Sequence, residues 1–380
     1  MTTLALTNGR VLAEHGFVER RTVVLRDGVI HAVSDDSDFD SRGAEVRDLR
    51  GQLLLPGFID IQVNGGGGVM FNDEPNVDGI RAIAAAHRTY GTTGFLPTLI
   101  SDDLDKVATA IAATDEAIKV GVPGVLGIHL EGPFLNSEKK GAHDPGKFRA
   151  LDADAVDLLS SLRHGKTLVT LAPEINSPVL IAQLVRAGII VAAGHTNADY
   201  DDIRIALDAG VTGFTHLFNA MSPLTSRAPG VVGAALDDQQ SWCGLIVDGY
   251  HVHPAALRIA IASKPRGSCL LVTDAMSSVG ATDKAFELDG QPITVADGKC
   301  VTTDGTLAGS DLDMATAVQN ATSMLKLDLA EAVRMASEYP AEAIGLGNTL
   351  GRIEAGSRAN LVLADDQLNI IETWIDGRIE

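Results

Sequence analysis

Hydrophobic and polar positions follow a repeating rhythm through the middle of the chain. Eight short apolar or β-rich runs recur between residues 57 and 274: "GFIDIQ", "GFLPT", "VLGIHLE", "LVTLAPE", "IIVAAGH", "VTGFTH", "GLIVDG" and "CLLVTD". Ala-rich stretches with a helical period, such as "VDGIRAIAAAHRTY", separate most of them. Eight strands alternating with helices predict an α/β protein with a (β/α)8 barrel of the TIM type. A doubly wound open sheet is the alternative, but no G-x-G-x-x-G spacing follows the first strand.

The two ends of the chain have a different pattern. Residues 4–55 alternate apolar and polar positions around an Asp27–Gly28 turn, and the last residues are β-rich around Asp376–Gly377. Because neither end is long enough for a stable sheet alone, we expect the two to complete one sheet. The predicted domains are a small β-sandwich, formed by 1–54 and 347–380, and a catalytic barrel over 55–346.

Between the last run and the C-terminal segment, the pattern changes twice more. Residues 281–310 contain several Gly and Asp-Gly turns, which predict a hairpin-rich insertion that ends in a glycine-containing loop. Two helices are predicted after it, over about 311–326 and 328–345, with Asp311 as the N-cap of the first.

Charge and cysteine content limit the classes of partner. The 380 residues carry a formal net charge of −20, which opposes general binding to nucleic acid or anionic membrane but allows a local basic pocket. Three cysteines without CxxC spacing favour a reduced cytosolic setting. We also find no signal-peptide pattern and no run that approaches the ~20 apolar residues of a membrane span. The expectation is a soluble cytoplasmic protein.

Polar side chains stand at the carboxyl ends of the predicted strands, where active sites of such barrels lie. They are Asp60, Gln62 and Asn64 after the first strand, Glu131 after the third, His195 after the fifth, His216 after the sixth and Asp274 after the eighth. A single histidine there is usually structural. Two histidines and a carboxylate at one face instead suit a metal, with a fourth position left for water.

Eight segments together resemble the N-acetylglucosamine-6-phosphate deacetylases of the amidohydrolase superfamily. They are "PGFIDIQVNGGGG", "GIHLEGPF", "KKGAHDP", "AGHTNA", "THLFNAMSPL", "DGYHV", "VTDAM" and "GTLAGS", and they span about 56–310. "HLEGPF" with "THLFNAM" is specific to the family within the superfamily. "GRIEAGSRANLVL" resembles the closing segment of the superfamily's small sandwich domain, with Asn360 where Asp is common.

The resemblance implies metal-dependent hydrolysis of the N-acetyl amide of N-acetyl-D-glucosamine 6-phosphate, which yields D-glucosamine 6-phosphate and acetate. Glu131, His195 and His216 would hold one divalent ion, with zinc as the first expectation and iron, cobalt or manganese as alternatives. Members with Gln-x-Asn in place of His-x-His bind mainly this single ion, so Gln62 and Asn64 put a second metal in doubt. Asp274 would act as general base and then as general acid.

The resemblance also implies the residues that contact substrate. His143 would be a second catalytic residue, which helps to polarise the acetyl carbonyl. The expected substrate-binding residues are Ala142, His143, Asn219, Ala220, Arg227, His251, Leu307, Ala308 and Gly309. The family supplies Arg227 from the neighbouring subunit, so a homodimer is expected. Lys139 and Lys140 are open between phosphate binding and a solvated basic loop.

Two other functions compete with this one. A different amidohydrolase, such as a cyclic amide hydrolase or an aminoacylase, often has two metals bridged by a carboxylated lysine after the fourth strand. That segment here reads "LVTLAPE", with Glu174 and no lysine. A non-catalytic barrel used as a scaffold is the other alternative, and the joint presence of Glu131, His195, His216 and Asp274 argues against it.

Overall fold

A closed barrel of eight parallel strands forms the centre of the molecule. The computed structural model describes residues 3–288 and 290–379. The barrel strands pair in chain order; they are Phe58–Val63, Thr92–Ile100, Gly127–Glu131, Lys166–Leu171, Ile190–Ala193, Gly213–Phe214, Trp242–Leu245 and Cys269–Leu271. The eighth strand meets the first where the Asp274 N–H donates to the Gln62 carbonyl at 3.0 Å. The predicted (β/α)8 barrel is therefore confirmed, and the open sheet is wrong.

Helices surround the barrel with their apolar faces turned inward. They are Val77–Arg88, Leu104–Lys119, Ala153–Leu159, Pro178–Arg186, Tyr200–Asp208, Gly230–Asp237, Pro254–Ser263, Met314–Ser323, Leu329–Ala336 and Glu338–Ala343. In the first, the Asn76 side chain accepts the Gly79 N–H, and Ile80, Ile83 and Ala84 are buried at helical spacing. Within the two described ranges, no helix is both long enough and apolar enough to cross a membrane.

Both ends of the chain contribute to a second sheet with its own core. Its strands are Thr3–Ala13, Gly16–Arg26, Val29–Asp35, Ala44–Asp48, Leu53–Pro56, Leu361–Ala364, Ile370–Ile375 and Arg378–Ile379. Strand Leu53–Pro56 joins the ends, since it pairs in parallel with Thr3–Ala13 and antiparallel with Leu361–Ala364. Leu6 and Trp374, both fully buried, pack in this core. The β unit is thus built as predicted, while the domain boundaries at 54 and 347 remain a prediction.

An antiparallel insertion lies beside the barrel mouth. Its four strands are Phe286–Leu288, Gln291–Ala296, Lys299–Val301 and Leu307–Ser310. Leu288 belongs to an apolar cluster with Ile100 and Met276 from the strand ends. The Lys299 ammonium also lies 4.4 Å from the centre of the Tyr250 ring, in the loop after the seventh strand. A two-stranded ribbon, Gly65–Gly66 with Val69–Met70, follows the first barrel strand.

The helices after the insertion differ in detail from the prediction. The first begins at Met314 because Asp313, rather than Asp311, accepts the Thr316 N–H at 2.8 Å. The predicted helix 328–345 is two helices that meet at Ser337. Pro340 accounts for the break, since proline lacks an N–H and its ring would clash with the carbonyl of residue 336 in a continuous helix.

Candidate active site

Three side chains from different barrel strands converge at the carboxyl end of the barrel. The Oε1 atom of Glu131 lies 2.9 Å from Nε2 of His216 and 3.2 Å from Nε2 of His195, and the two nitrogens are 3.1 Å apart. None of the three residues is more than 5% exposed. Ligand atoms around a tetrahedral zinc ion are about 3.4 Å from one another. The observed spacing therefore suits a shared cation.

The hydrogen bonding of His195 supports the same conclusion. Its Nδ1 lies 2.8 Å from the carbonyl oxygen of Lys139, which can only accept a hydrogen bond. Nδ1 therefore carries the proton, and the lone pair of Nε2 points to the cluster. Metal-binding histidines commonly donate their other ring N–H to a carbonyl in this way. The donor set therefore fits a divalent cation.

The backbone is unusual at these positions. His195, His216, Ala220 and Asp274 have φ angles of 49°, 33°, 51° and 53°. Residues other than glycine rarely adopt this left-handed region, and each such position costs about 1–3 kcal/mol. Four of the sequence-predicted site residues therefore share a strained conformation at the strand ends. Backbone strain of this kind occurs at many functional sites, and turns elsewhere in this chain share it.

Gln62 and Asn64 hydrogen-bond to carboxylates at the barrel mouth. Oδ1 of Asp274 accepts from Nδ2 of Asn64 at 2.7 Å and from Nε2 of Gln62 at 3.1 Å. The same Nε2 lies 3.1 Å from Oε2 of Glu131. Two neutral amides thus lie against Asp274, and one of them bridges to Glu131.

The two carboxylates differ in their affinity for protons. Burial alone would raise the pKa of Glu131, but the adjacent imidazoles of His195 and His216 hold that pKa well below its ordinary value. Burial raises the pKa of Asp274, and the charge of Glu131 raises it further. Carboxylates whose environments separate their pKa values in this way commonly take separate roles. Here Glu131 suits a ligand and Asp274 suits a proton acceptor.

A cavity of about 520 Å³ opens above this cluster. The predicted substrate-binding residues that line it are Ala142, His143, Asn219, Ala220, His251, Leu307 and Gly309. Ala308 is fully buried behind that wall, and Arg227 lies on an exposed loop outside the cavity of its own chain. Lys139 also lines the cavity, whereas Lys140 borders an adjoining cavity of about 320 Å³. The structure thus brings together the predicted set except Arg227 and Ala308.

His143 lies inside the cavity although its loop is remote in sequence from the other site residues. His143 is 6% exposed, and the centre of its ring lies 4.4 Å from the centre of the His195 ring. Burial, together with the neighbouring His195, lowers the pKa of His143 to about 3. The ring is therefore neutral near pH 7 and has one N–H to donate.

The ends of the fourth and seventh strands carry two residues that the sequence analysis did not assign to the site. Glu174 accepts from Asn136 Nδ2 at 2.8 Å, from the Asn197 N–H at 2.7 Å and from the Thr196 hydroxyl. It thereby ties the loop after Glu131 to the loop after His195. In the sequence, the position of Glu174 directly after the strand segment "LVTLAP" is the pattern that indicates a place at the barrel mouth.

Asp248, which follows the seventh strand, holds the side chain of His251 in place. Its Oδ2 lies 2.6 Å from Nδ1 of His251, and its Oδ1 accepts the N–H groups of Tyr250 and His251 at 2.8 and 2.9 Å. Burial opposes ionisation of Asp248, but the hydrogen bonds from His251 outweigh it and lower the pKa of this carboxyl. The imidazole is therefore held at the cavity wall by an ionised carboxylate. In the sequence, the three-residue spacing between Asp248 and His251 in "DGYH" is the pattern that indicates this pair.

Comparisons with known proteins agree with this geometry. A family model described as the amidohydrolase family matches residues 53–379. An N-acetylgalactosamine-6-phosphate deacetylase of Shewanella sp. (strain ANA-3) is 41% identical, over 99% of this chain and 95% of the relative. An N-acetylglucosamine-6-phosphate deacetylase of Haemophilus influenzae is 36% identical, over 98% of each chain.

Solved structures give the same result. The crystal structure of N-acetylglucosamine-6-phosphate deacetylase from Pasteurella multocida has a TM-score of 0.96 and 36% identity, and covers 100% of this chain and 99% of its own. The enzyme from Mycobacterium smegmatis has a TM-score of 0.90 and 32% identity, with 100% of both chains covered. This chain therefore belongs to the amidohydrolase family and, within it, to the N-acetylglucosamine- and N-acetylgalactosamine-6-phosphate deacetylases.

Proposed function

We propose that the protein hydrolyses the N-acetyl amide of N-acetyl-D-glucosamine 6-phosphate to D-glucosamine 6-phosphate and acetate. The observation that carries the proposal is the buried Glu131–His195–His216 cluster beneath a cavity that also contains Asp274. A hydrolase that attacks an amide needs an activated water, a proton acceptor and a donor to the carbonyl oxygen. This cavity offers a group for each. The named activities of the relatives support the same reaction.

Glu131, His195 and His216 would hold one divalent ion, and zinc is our first assignment. Two imidazoles and one carboxylate also accept iron, cobalt or manganese, so the donor set favours zinc without excluding those ions. When bound, the ion supplies Lewis-acid activation of water and of the acetyl carbonyl.

Asp274 and His143 would move and hold the protons. A carboxylate oxygen of Asp274 takes the proton of the attacking water and then delivers a proton to the amine nitrogen as the C–N bond breaks. An amine leaves poorly without that proton, so one group serves both steps. His143 donates its ring N–H to the acetyl oxygen, where negative charge develops. Because both side chains are buried, bulk water weakens these interactions little.

The phosphate group would lie at the other end of the cavity. We assign His251, held by Asp248, to this end, with Asn219 and Ala220 nearby and Leu307 and Gly309 against the sugar. Arg227 lies on an exposed loop and does not line the cavity of its own chain. Its guanidinium group can form two parallel hydrogen bonds to a phosphate group. We therefore propose a homodimer in which Arg227 reaches the active site of the neighbouring subunit.

N-acetylgalactosamine 6-phosphate is a second candidate substrate. The observation that favours it is the Shewanella relative, whose named substrate is this sugar and whose identity of 41% exceeds that of the Haemophilus enzyme at 36%. The two substrates differ only in the orientation of the C4 hydroxyl group. The deacetylation chemistry is the same for both.

The test is acetate release by the zinc-loaded protein from both sugar phosphates and from unphosphorylated N-acetylglucosamine. Turnover of a phosphorylated sugar alone supports the chemistry and the phosphate site, and the ratio of kcat/KM identifies the preferred epimer. Equal turnover of unphosphorylated N-acetylglucosamine would contradict the assignment of the phosphate site. No turnover of any of these sugars by metal-loaded protein would overturn the proposal. His195→Ala should lose metal and activity. His31→Ala, at an exposed position of the terminal sheet, is the matched control and should retain both.

A further inference from the structure

We propose that Ser101 is a positioning residue that fixes the tautomer of His143, so that Nε2–H of His143 faces the cavity. This inference rests on the proposed function, because it concerns the group that would donate to the acetyl oxygen. Ser101 directly follows the second barrel strand and is 4% exposed. It lies behind the imidazole and does not line the cavity, so its effect passes through His143.

Two groups of Ser101 converge on one nitrogen of the imidazole. The hydroxyl oxygen lies 2.9 Å from Nδ1 of His143, and the Ser101 backbone N–H donates to the same Nδ1 at 3.4 Å. The hydroxyl has one other acceptor, the carbonyl oxygen of Glu131, at the longer distance of 3.4 Å. Its hydrogen is therefore best placed on the imidazole.

The backbone amide reinforces the tautomer that the shorter hydroxyl contact favours. An N–H group can only donate, so Nδ1 of His143 must present its lone pair to Ser101. A neutral imidazole carries one proton, which then lies on Nε2. Nε2 has no hydrogen-bond partner among the described residues, and His143 lines the central cavity. The ring thus offers a donor to a ligand in that cavity.

The surrounding chain holds Ser101 in place. The Asn72 side chain accepts the Ile100 N–H at 3.0 Å and donates to the Ile100 carbonyl at 3.1 Å and to Asp102 at 3.3 Å. Gly132 leaves room for the hydroxyl, because a Cβ atom at that position would lie 2.2 Å from Ser101 Oγ. A side chain at residue 132 would therefore displace the serine hydroxyl.

The tautomer matters because the opposite one reverses the interaction. With the proton on Nδ1, the lone pair of Nε2 would face the acetyl oxygen and repel the charge that develops there. Ser101→Ala removes the hydroxyl and leaves only the longer amide contact. We expect kcat to fall about tenfold, the usual effect of one lost hydrogen bond, while KM changes less than about threefold.

The first test needs no substrate. Two-bond ¹H–¹⁵N NMR spectra of the zinc-loaded, ¹⁵N-histidine-labelled protein report which ring nitrogen carries the proton, and His143→Gln identifies the His143 signals. We expect a protonated Nε2 and an unprotonated Nδ1 in the parent chain, and a mixture of tautomers in Ser101→Ala. A protonated Nδ1 in the parent chain would overturn the proposal, whatever the enzyme's substrate.

The second test is a double-mutant cycle on kcat. If Ser101 acts through His143, Ser101→Ala should slow the His143→Gln variant less than about twofold. An undiminished tenfold effect in that background would show that Ser101 acts by another route. Ser337→Ala is the matched control, since its buried hydroxyl donates to the Val333 carbonyl in a remote helix; kcat should be unchanged. If neither the parent chain nor any variant releases acetate, the proposed function is wrong. The NMR test of the His143 tautomer remains valid in that case, because it needs no substrate.

Discussion

Asp60 gives a prediction about stability that follows from a single buried carboxyl group. It is fully buried on the first barrel strand, and its oxygens accept from the Thr273 hydroxyl, the Thr273 N–H at 3.3 Å and the Gln62 N–H at 3.2 Å. Burial raises its pKa from 3.8 to about 7, although these hydrogen bonds act in the opposite direction. No cationic side chain pairs with Asp60 within the described ranges. The folded protein therefore binds this proton more tightly than the unfolded chain does.

The sign and size of the effect follow from linkage. Below pH 3.8 both states are protonated and Asp60 carries no penalty; as pH rises from 3.8 to about 7, only the unfolded state ionises, so stability falls. The loss reaches at most about 4 kcal/mol above pH 7. Asp60→Asn keeps the shape but cannot ionise. Its free energy of unfolding should therefore rise relative to the parent chain between pH 4 and 7, and then stay level.

Urea unfolding of metal-free protein, followed by circular dichroism at half-unit pH steps, measures this difference. Use of the metal-free form keeps metal release out of the comparison, and the difference between the two chains cancels the titration of groups they share. A difference that is constant from pH 4 to 7.5 would refute the reasoning, because it would mean that Asp60 ionises alike in both states. A difference that falls with pH would show that the carboxylate itself is stabilised.

Three further predictions concern the phosphate site, the barrel and the metal count. Arg227→Ala should raise KM for the phosphorylated sugar at least tenfold and leave kcat with saturating substrate nearly unchanged, measured by acetate release. Gly127→Ala should lower the free energy of unfolding, measured by thermal unfolding, by more than about 3 kcal/mol. The reason is that the added Cβ atom would lie 1.9 Å from the Lys166 carbonyl oxygen. Gln62→His with Asn64→His should raise the bound metal from one ion to two by elemental analysis; one ion would contradict it.

The architecture was predictable because each barrel element has its own local signal. Apolar runs of strand length alternate with helices that bury one face, and this pattern holds from residue 57 to 274 without relying on distant contacts. The same reasoning placed Glu131, His195, His216 and Asp274 at one end of the barrel. The helix predicted over 328–345 is the exception, because Pro340 divides it into two.

The residues that support the site were not predicted, although they occupy the same kind of position. Ser101, Glu174 and Asp248 follow the second, fourth and seventh strands and contact a neighbour of the reacting groups rather than the cavity centre. A position at a strand end, or the spacing of Asp248 and His251 in "DGYH", suggests that a polar residue lies near the site, but neither identifies its partner. Which loop it binds depends on how loops far apart in sequence meet, and this information lies in the tertiary structure.

The contacts of Gln62 and Asn64 fit the proposed site with one ion. In a two-metal site, a second dication near Gln62 and Asn64 would offset the negative charges of Glu131 and Asp274. Here the Gln62 amide lies 3.1 Å from each of these carboxylates, and Asn64 adds a contact of 2.7 Å to Asp274. Neutral donors stabilise the carboxylates without the full charge of an ion, so they depress the proton affinity of Asp274 less than a dication would. Asp274 is not one of the three proposed ligands, so its oxygens would remain available to take the proton from water. The exchange of histidines for amides therefore suits a mechanism in which one ion activates the reactants and an uncoordinated carboxylate moves the protons.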